Sequence, residues 1–253
     1  MARDMPRSVG RAAVPRVPRM STVDLIAIEL RKAIFSGALP VGSPLGEVEI
    51  ATQLGVSRSP FREGAQRLVQ EGLLISVPGR GMRVAVLEGD QIDDVYQARL
   101  AIEAQAVRRI AATQDAAVLK RLEHELGELV AASEGEDARA IGDADLEFHQ
   151  VLVDAAASER LTRFMATLVM QTRIVSFSAP DGYSVRRSVS PTYRELLDAL
   201  GAGDPASAVA ALRTQFDEAV ARLHGHGPSV DLVEPDDDGG PVDFEPITPI
   251  TGD

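Results

Sequence analysis

Residues 46–74, GEVEIATQLGVSRSPFREGAQRLVQEGLL, decide the fold. Apolar residues recur there at helical spacing, in two runs broken by a single glycine. The first run, about Gly46 to Leu54, sets Val48, Ala51 and Leu54 on one side, and Gly55 ends it. The second, about Arg58 to Gln70, carries Phe61, Ala65, Leu68 and Val69 as its stripe, and Gly72 ends it. Pro60 falls in the first turn of the second helix, where a missing N–H leaves no acceptor unserved. A short helix, a tight turn and a longer helix make the spacing of a helix-turn-helix. Arg58 and Arg62 are four residues apart and share a face at the start of the longer helix. That end of a recognition helix enters the major groove, where a guanidinium can grip a guanine edge bidentately or bond a phosphate. Ser57 and Ser59 are placed to bond phosphate or to cap the helix.

The same reading extends outward. Upstream, Leu25, Ile26, Leu30, Ala33 and Ile34 mark another amphipathic helix, with Ser21 or Thr22 able to cap it and Gly37 and Pro40 ending it. Downstream, Leu73–Val77 reads as a strand, Pro78-Gly79-Arg80-Gly81 as a turn and Met82–Val86 as a second strand. Three helices and a hairpin predict a winged helix-turn-helix over residues 21–87. In the wing, Gly79 and Gly81 permit a tight turn and leave Arg80 free to reach a minor groove or a phosphate.

After a link near Leu87–Gly89 only helical signals remain, over roughly 91–113, 115–133, 138–156, 158–177, 187–201 and 205–224. Helices on short loops predict an antiparallel all-α bundle over 90–225, and the whole chain is expected to be mainly α. Residues 1–20 hold five arginines and three prolines without a hydrophobic period, which predicts a disordered basic arm. Residues 226–253 hold eight acidic residues and no Lys or Arg, which predicts a disordered acidic tail.

Charge is unevenly spread. Residues 1–86 hold 12 Lys and Arg against 7 Asp and Glu, net +5, while the remainder is net −17. Attraction to phosphate depends on the local face, so a basic head beside an acidic body suits a DNA-reading module joined to something that does not touch DNA. The 253 residues contain no cysteine, which excludes disulfides and thiolate chemistry and fits a cytoplasmic protein. No apolar run approaches the roughly 20 residues needed to span a bilayer, and no apolar signal core follows the N-terminal arginines. Without Cys, a Gly-x-Ser-x-Gly elbow or a glycine-rich phosphate loop, the sequence gives little support to an enzyme.

The segment LRKAIFSGALPVGSPLGEVEIATQLGVSRSPFREGAQRLVQEGLL with the wing VPGRGMRV resembles the GntR family of bacterial repressors. The resemblance implies Arg58 and Arg62 as principal DNA contacts, Ser57 and Ser59 as supporting ones, and Gly79-Arg80-Gly81 as the wing tip. Some members carry an arginine just after the glutamate of the second helix; here that position is Val48.

Residues 90–224 are similar to the FCD effector domain of the FadR-like branch, through Val95-Tyr96-Gln97-Ala98-Arg99 with Ile102-Glu103, Asp145-Leu146-Glu147-Phe148-His149, and Leu196–Leu200 before Gly203-Asp204. Many members hold a divalent metal there with an aspartate and three histidines. Asp145 and His149 match, but Tyr193 and Gln215 stand where the other histidines are expected. Two protein ligands are too few for an ordinary metal site. The resemblance otherwise implies a metal-free pocket for an acidic effector, lined by Arg99, Asp145, His149, Arg173, Tyr193 and Gln215. A plainer reading pairs Arg99 with Glu103 along one helix and leaves His149 as a satisfied core residue. The expected function is a homodimeric regulator of transcription with double-stranded operator DNA and a small-molecule effector as partners, released from DNA by its ligand or, alternatively, activated by it. Two further readings stay open: a metal-responsive regulator using Asp145 and His149, and a small metal-dependent hydrolase.

Overall fold

The computed structural model describes residues 20–178, 185–186, 189, 191–225 and 232–233. The expected basic arm, apart from Met20, and most of the expected acidic tail lie outside the described residues. The head begins with α1 (Thr22–Phe35), α2 (Glu47–Gln53) and α3 (Arg58–Gln70), followed by the hairpin β1 (Leu74–Val77) and β2 (Gly81–Val84). Ser21 caps α1: its hydroxyl accepts from the Asp24 N–H at 3.1 Å, and the Asp24 carboxylate accepts from the Ser21 N–H at 2.9 Å, a capping box. The Ser21 hydroxyl and the Arg67 guanidinium together hold the Asp24 carboxyl down at about 2.

Ile26, Leu30 and Ile34 of α1 pack with Phe61, Ala65 and Leu68 of α3 into one aliphatic core that also takes Leu54, Leu74 and Val84. Gly64 permits this approach. A Cβ built on it would lie 2.7 Å from the Ile26 Cγ2 atom and 3.3 Å from the Val23 carbonyl. The short α2 buries Ile50 and Ala51, and Leu54 follows at 0 % exposure, but Val48, expected on that apolar side, is 62 % exposed. The rotation that buries Ile50 turns Val48 out.

The wing is built by a type II turn. The Arg80 N–H donates to the Val77 carbonyl, with Pro78 at the second position and Gly79 at φ 72°, the positive φ such a turn demands. β1 and β2 pair antiparallel, Leu74 opposite Val84, and residues 42–45 add to the free edge of β2 through the Leu45 N–H on the Met82 carbonyl and a bridge of Pro44 to Arg83.

Among the described residues six further helices follow: α4 (Asp90–Thr113), α5 (Ala116–Ser133), α6 (Ala138–Ala155), α7 (Glu159–Ser178), α8 (Thr192–Gly201) and α9 (Pro205–Leu223). Asp115, Asp137 and Asp204 cap α5, α6 and α9 with their carboxylates. Leu122, Phe148, Val175, Leu196 and Leu212 belong to the core these helices enclose. Of the helix expected from 187, the described part is Thr192–Gly201 with Pro191 as its N-cap; residues 187, 188 and 190 lie outside the described residues. Val185–Arg186 and Leu232–Val233 form a two-residue ladder, so the region read as a disordered tail includes one paired segment.

The two cores meet along α7. Ile174 is fully buried in the core of the head, whereas Val175, the next residue, is buried in the core of the bundle. Met170 also packs on the head, the Leu87 N–H donates to the Ser178 hydroxyl at 3.2 Å, and Gln171 lies against Gly72. Among the described residues no helix is long and apolar enough to cross a membrane.

Gly64→Ala provides a test of the α1–α3 contact. Alanine favours the helix by about 1 kcal/mol, but the added methyl must displace Ile26, and overpacking costs about 1–3 kcal/mol. A lowered melting temperature is expected in thermal denaturation followed by circular dichroism. An unchanged or raised one would show that α1 and α3 separate without cost.

Candidate nucleic-acid interface and ligand site

Ser57, Arg58, Ser59, Arg62, Gly79, Arg80 and Gly81 are all exposed. Ser57 occupies the N-cap position of α3 with extended geometry, yet its side chain makes no cap hydrogen bond, so that hydroxyl is not spent on the helix. Pro60 takes the third position of α3, as the sequence predicts. Arg58, Ser59, Arg62 and Glu63 line a shallow open depression on the outer side of α3. One partner was missed from sequence: the Arg62 Nε donates to the Glu47 carboxylate at 2.7 Å, across from α3 to the first residue of α2. The two are 15 residues apart on different helices, so no helical spacing announces the pair.

In the bundle, α4, α6 and α8 bring a polar chain into an apolar interior. Arg99 is 1 % exposed and Glu103 is fully buried. The Arg99 Nε donates to one Glu103 oxygen at 3.0 Å, and the other Glu103 oxygen bonds the His149 Nδ1 at 2.6 Å. On the far side of the imidazole, Nε2 lies 3.4 Å from the Tyr193 hydroxyl, which donates to Asp145. Both plainer expectations therefore hold, and Glu103 joins them into one network. Tyr96 and Phe216, edge to face with each other at 5.5 Å, both lie against the Arg99 guanidinium, their centroids 5.2 and 4.5 Å from its carbon.

This environment shifts protonation. Burial is the largest single influence and works against the charge on Arg99, but Glu103, Tyr96 and Asp145 together outweigh it and the pKa rises. Burial pushes the Tyr193 phenol well above its usual range, and the neighbouring Asp145 carboxylate pushes the same way. Arg99 Nη2 and both polar atoms of the Gln215 side chain are buried without a hydrogen-bond partner. Each such atom costs about 1–3 kcal/mol when left unserved.

Arg173 does not join this network. It pairs with Asp143, and its guanidinium carbon stands 5.2 Å from the Phe35 ring centroid of the head. The residue next to it on α7 is Ile174, so this turn of the helix faces the seam between bundle and head rather than the bundle interior. Of the other histidines, His124 is exposed near Glu128, and the His224 Nε2 lies 3.2 Å from an Asp93 oxygen.

The residues present do not fit a divalent metal. Tyr193 is held as a neutral phenol that donates to Asp145, which occupies one oxygen of that carboxylate, and His149 has only Nε2 left to offer. Glutamine is a weak transition-metal ligand. Among the described residues no group of three or more His, Cys, Asp or Glu is arranged to hold a metal.

Comparison with known proteins follows the same division. Residues 22–84 match the bacterial regulatory proteins of the gntR family, and residues 94–218 match the FCD domain. A probable D-xylose utilization operon transcriptional repressor of Paenarthrobacter nicotinovorans is 30% identical over 201 residues, 79% of this chain and 88% of that one. An HTH-type transcriptional regulator of Agrobacterium vitis, uncharacterized and encoded in the TAR-I ttuE-ttuC' intergenic region, is 36% identical over 51% of this chain and 77% of its own length. The structure of a GntR-type regulator from Rhodococcus sp. RHA1 superposes with a TM-score of 0.70 at 30% identity, covering 83% of this chain and all of that one.

The raised Tyr193 pKa fixes a sign. The folded state holds the phenolic proton more tightly than the unfolded chain, whose tyrosines titrate near pH 10. This contribution to stability is complete below about pH 10 and is lost as pH rises toward the folded value. Tyr193→Phe should therefore make the fall in stability above pH 10 shallower in urea denaturation at stepped pH. An unaltered slope would mean the phenol titrates normally.

Proposed function

The chain belongs to the GntR family of bacterial regulatory proteins and carries an FCD domain, and from that premise we propose a mechanism in which a small carboxylate-bearing ligand in the bundle sets its affinity for operator DNA. A protein of this family is a regulator of transcription and not an enzyme. In the proposed mechanism α3 lies in the major groove, with Arg58 and Arg62 on base edges or phosphate, Ser57 and Ser59 on phosphate, and Gly79-Arg80-Gly81 at the adjoining groove. What supports this is the exposure of all seven residues on one head, with the Ser57 hydroxyl left free of its helix. Two copies read the half-sites of a near-palindrome, since two-fold symmetric protein meets two-fold symmetric DNA. Repression is the proposed sign, in keeping with the Paenarthrobacter relative, which is by name a repressor.

One observation carries the ligand half. Arg99 Nη2 and the Gln215 amide offer two donor nitrogens and one acceptor oxygen, all buried without a hydrogen-bond partner. A carboxylate accepts from both donors, since Glu103 engages the guanidinium through Nε and leaves Nη2 for it. The ligand gains its effect by binding one placement of the heads more tightly than another, and a difference of about 1–3 kcal/mol changes operator affinity by about 5- to 150-fold. No metal enters this mechanism.

Two measurements check it. Arg58→Ala and Arg62→Ala are each expected to weaken operator binding by about tenfold or more in gel-shift titration, as loss of a bidentate base contact requires; unchanged affinity in both would remove the assignment of α3 as reader. For the ligand, chelator-treated protein is melted against a series of small carboxylic acids, each beside its methyl ester. At least one acid should raise the melting temperature while its ester does not, and Gln215→Leu should reduce that rise. Stabilisation that appears only when a divalent metal is added would overturn the metal-free reading.

A further inference from the structure

Arg62 is 56 % exposed at its side chain, while Glu47, which holds it by Nε at 2.7 Å, is only 18 % exposed. Glu47 begins α2, and its second oxygen lies 3.9 Å from where a Cβ on Gly81 would stand, so the carboxylate occupies the angle between recognition helix and wing. A carboxylate at a DNA-facing surface repels phosphate, so it weakens non-specific binding wherever the protein lands. Its pairing with Arg62 gives it a compensating use. An unpaired arginine is a long, rotamer-rich cation that bonds whichever phosphate is nearest. A guanidinium fixed through Nε keeps both Nη groups free and presents them as a planar fork, the geometry that matches the O6 and N7 acceptors of guanine.

We propose that Glu47 is a specificity-determining positioning residue, which holds Arg62 by Nε so that its two Nη groups meet a base edge rather than a phosphate. The proposal rests on the reading of Arg62 as a DNA contact. Glu47 lowers the general affinity for duplex DNA and raises discrimination between sequences. Glu63, exposed on the same helix face, makes no ion pair with Arg62, which leaves Glu47 as the carboxylate that orients it among the described residues.

The full-length protein is first used to select a preferred duplex from a randomised pool. Affinities for that duplex and for a scrambled one are then measured by fluorescence anisotropy across a salt series. For Glu47→Gln the ratio of specific to non-specific affinity should fall by about tenfold, the worth of one oriented bidentate contact. Binding to the scrambled duplex should stay equal or tighten, with the salt slope steeper by about 0.9 as one more phosphate contact is made. Glu47→Asp keeps the charge but shortens the reach, so it should lower the ratio without changing the slope, and it serves as the second variant if Glu47→Gln fails to fold. In an Arg62→Ala background, Glu47→Gln should lower the ratio no further. A ratio unchanged in Glu47→Gln, or both affinities falling by one common factor, overturns the proposal and leaves Glu47 a purely structural brace of α2 on α3. Arg62→Ala with undiminished discrimination would remove the reading of Arg62 and this proposal with it. Discrimination lost in Arg62→Ala but kept in both Glu47 variants would overturn this proposal alone.

Discussion

Ile174 and Val175 are consecutive on α7, and one belongs to the core of the head while the other belongs to the core of the bundle. Burying side chains of this size contributes about 1.5–3 kcal/mol each. Neither can be withdrawn without opening a void in a close-packed interior. The head is therefore not a bead on a string. Met170, Gln171, Arg173 and Ser178 all meet head residues or the link at Leu87, so nearly the whole C-terminal half of α7 is shared. A helix built into two cores has few ways to move, and any shift it makes is registered in both. The coupling that the proposed mechanism needs is of the same order as the burial energy of one of these side chains.

The polar network sits on the other side of the same architecture. Its five groups come from three helices: Arg99 and Glu103 from α4, Asp145 and His149 from α6, Tyr193 from α8. Carrying charges into that interior is costly, and the cost is recovered only because each charge has an oriented partner. α6 also bears Asp143, which grips Arg173 on α7 at the seam. Asp143 and Asp145 are separated by one residue, so α6 holds the internal network and the head-facing seam within a single turn. In the proposed mechanism a ligand that pulls on Arg99 would act through Glu103 and His149 upon that helix. Physical contiguity of this kind makes a route available; the energetic coupling along it is a separate quantity.

The head was legible from sequence because its determinants are local. The stripe of Phe61, Ala65 and Leu68, the break at Gly55 and the Pro78-Gly79 turn each state their geometry within a few residues. The bundle was legible as helices but not as a site. Helical spacing places Arg99 beside Glu103, yet nothing local says that Glu103 meets an imidazole 46 residues away. Arg173 was misplaced for the same reason: its position on α7 is read easily, but the element facing that turn is the head, and only packing reveals that. Val48 shows the limit at shortest range. In a helix of seven residues two registers can each look amphipathic, and burial of Ile50 decided between them. Glu47 was visible as a landmark of the second helix, while its partner Arg62 lies beyond the turn that separates the two.

Net charge misleads about this head unless pairing is counted. The basic sum of residues 1–86 owes much to the five arginines of the first 20; from residue 20 to 86 there are seven Lys and Arg against six Asp and Glu. Four of those cations are engaged with carboxylates: Arg31 with Glu71, Lys32 with Glu29, Arg62 with Glu47 and Arg67 with Asp24. Exposed pairs such as these contribute little to stability, about 0–1 kcal/mol each, but they withdraw charge from the surface. Arg58, Arg80 and Arg83 then remain as exposed cations without an ion pair among the described residues, one at the start of α3 and two on the hairpin. Glu49 on α2 and Glu63 on α3 also stay outside these four pairs, so the helix-turn-helix and wing keep an excess of one positive charge. A nearly neutral head attracts phosphate at that edge alone, and binding there depends on orientation as well as charge.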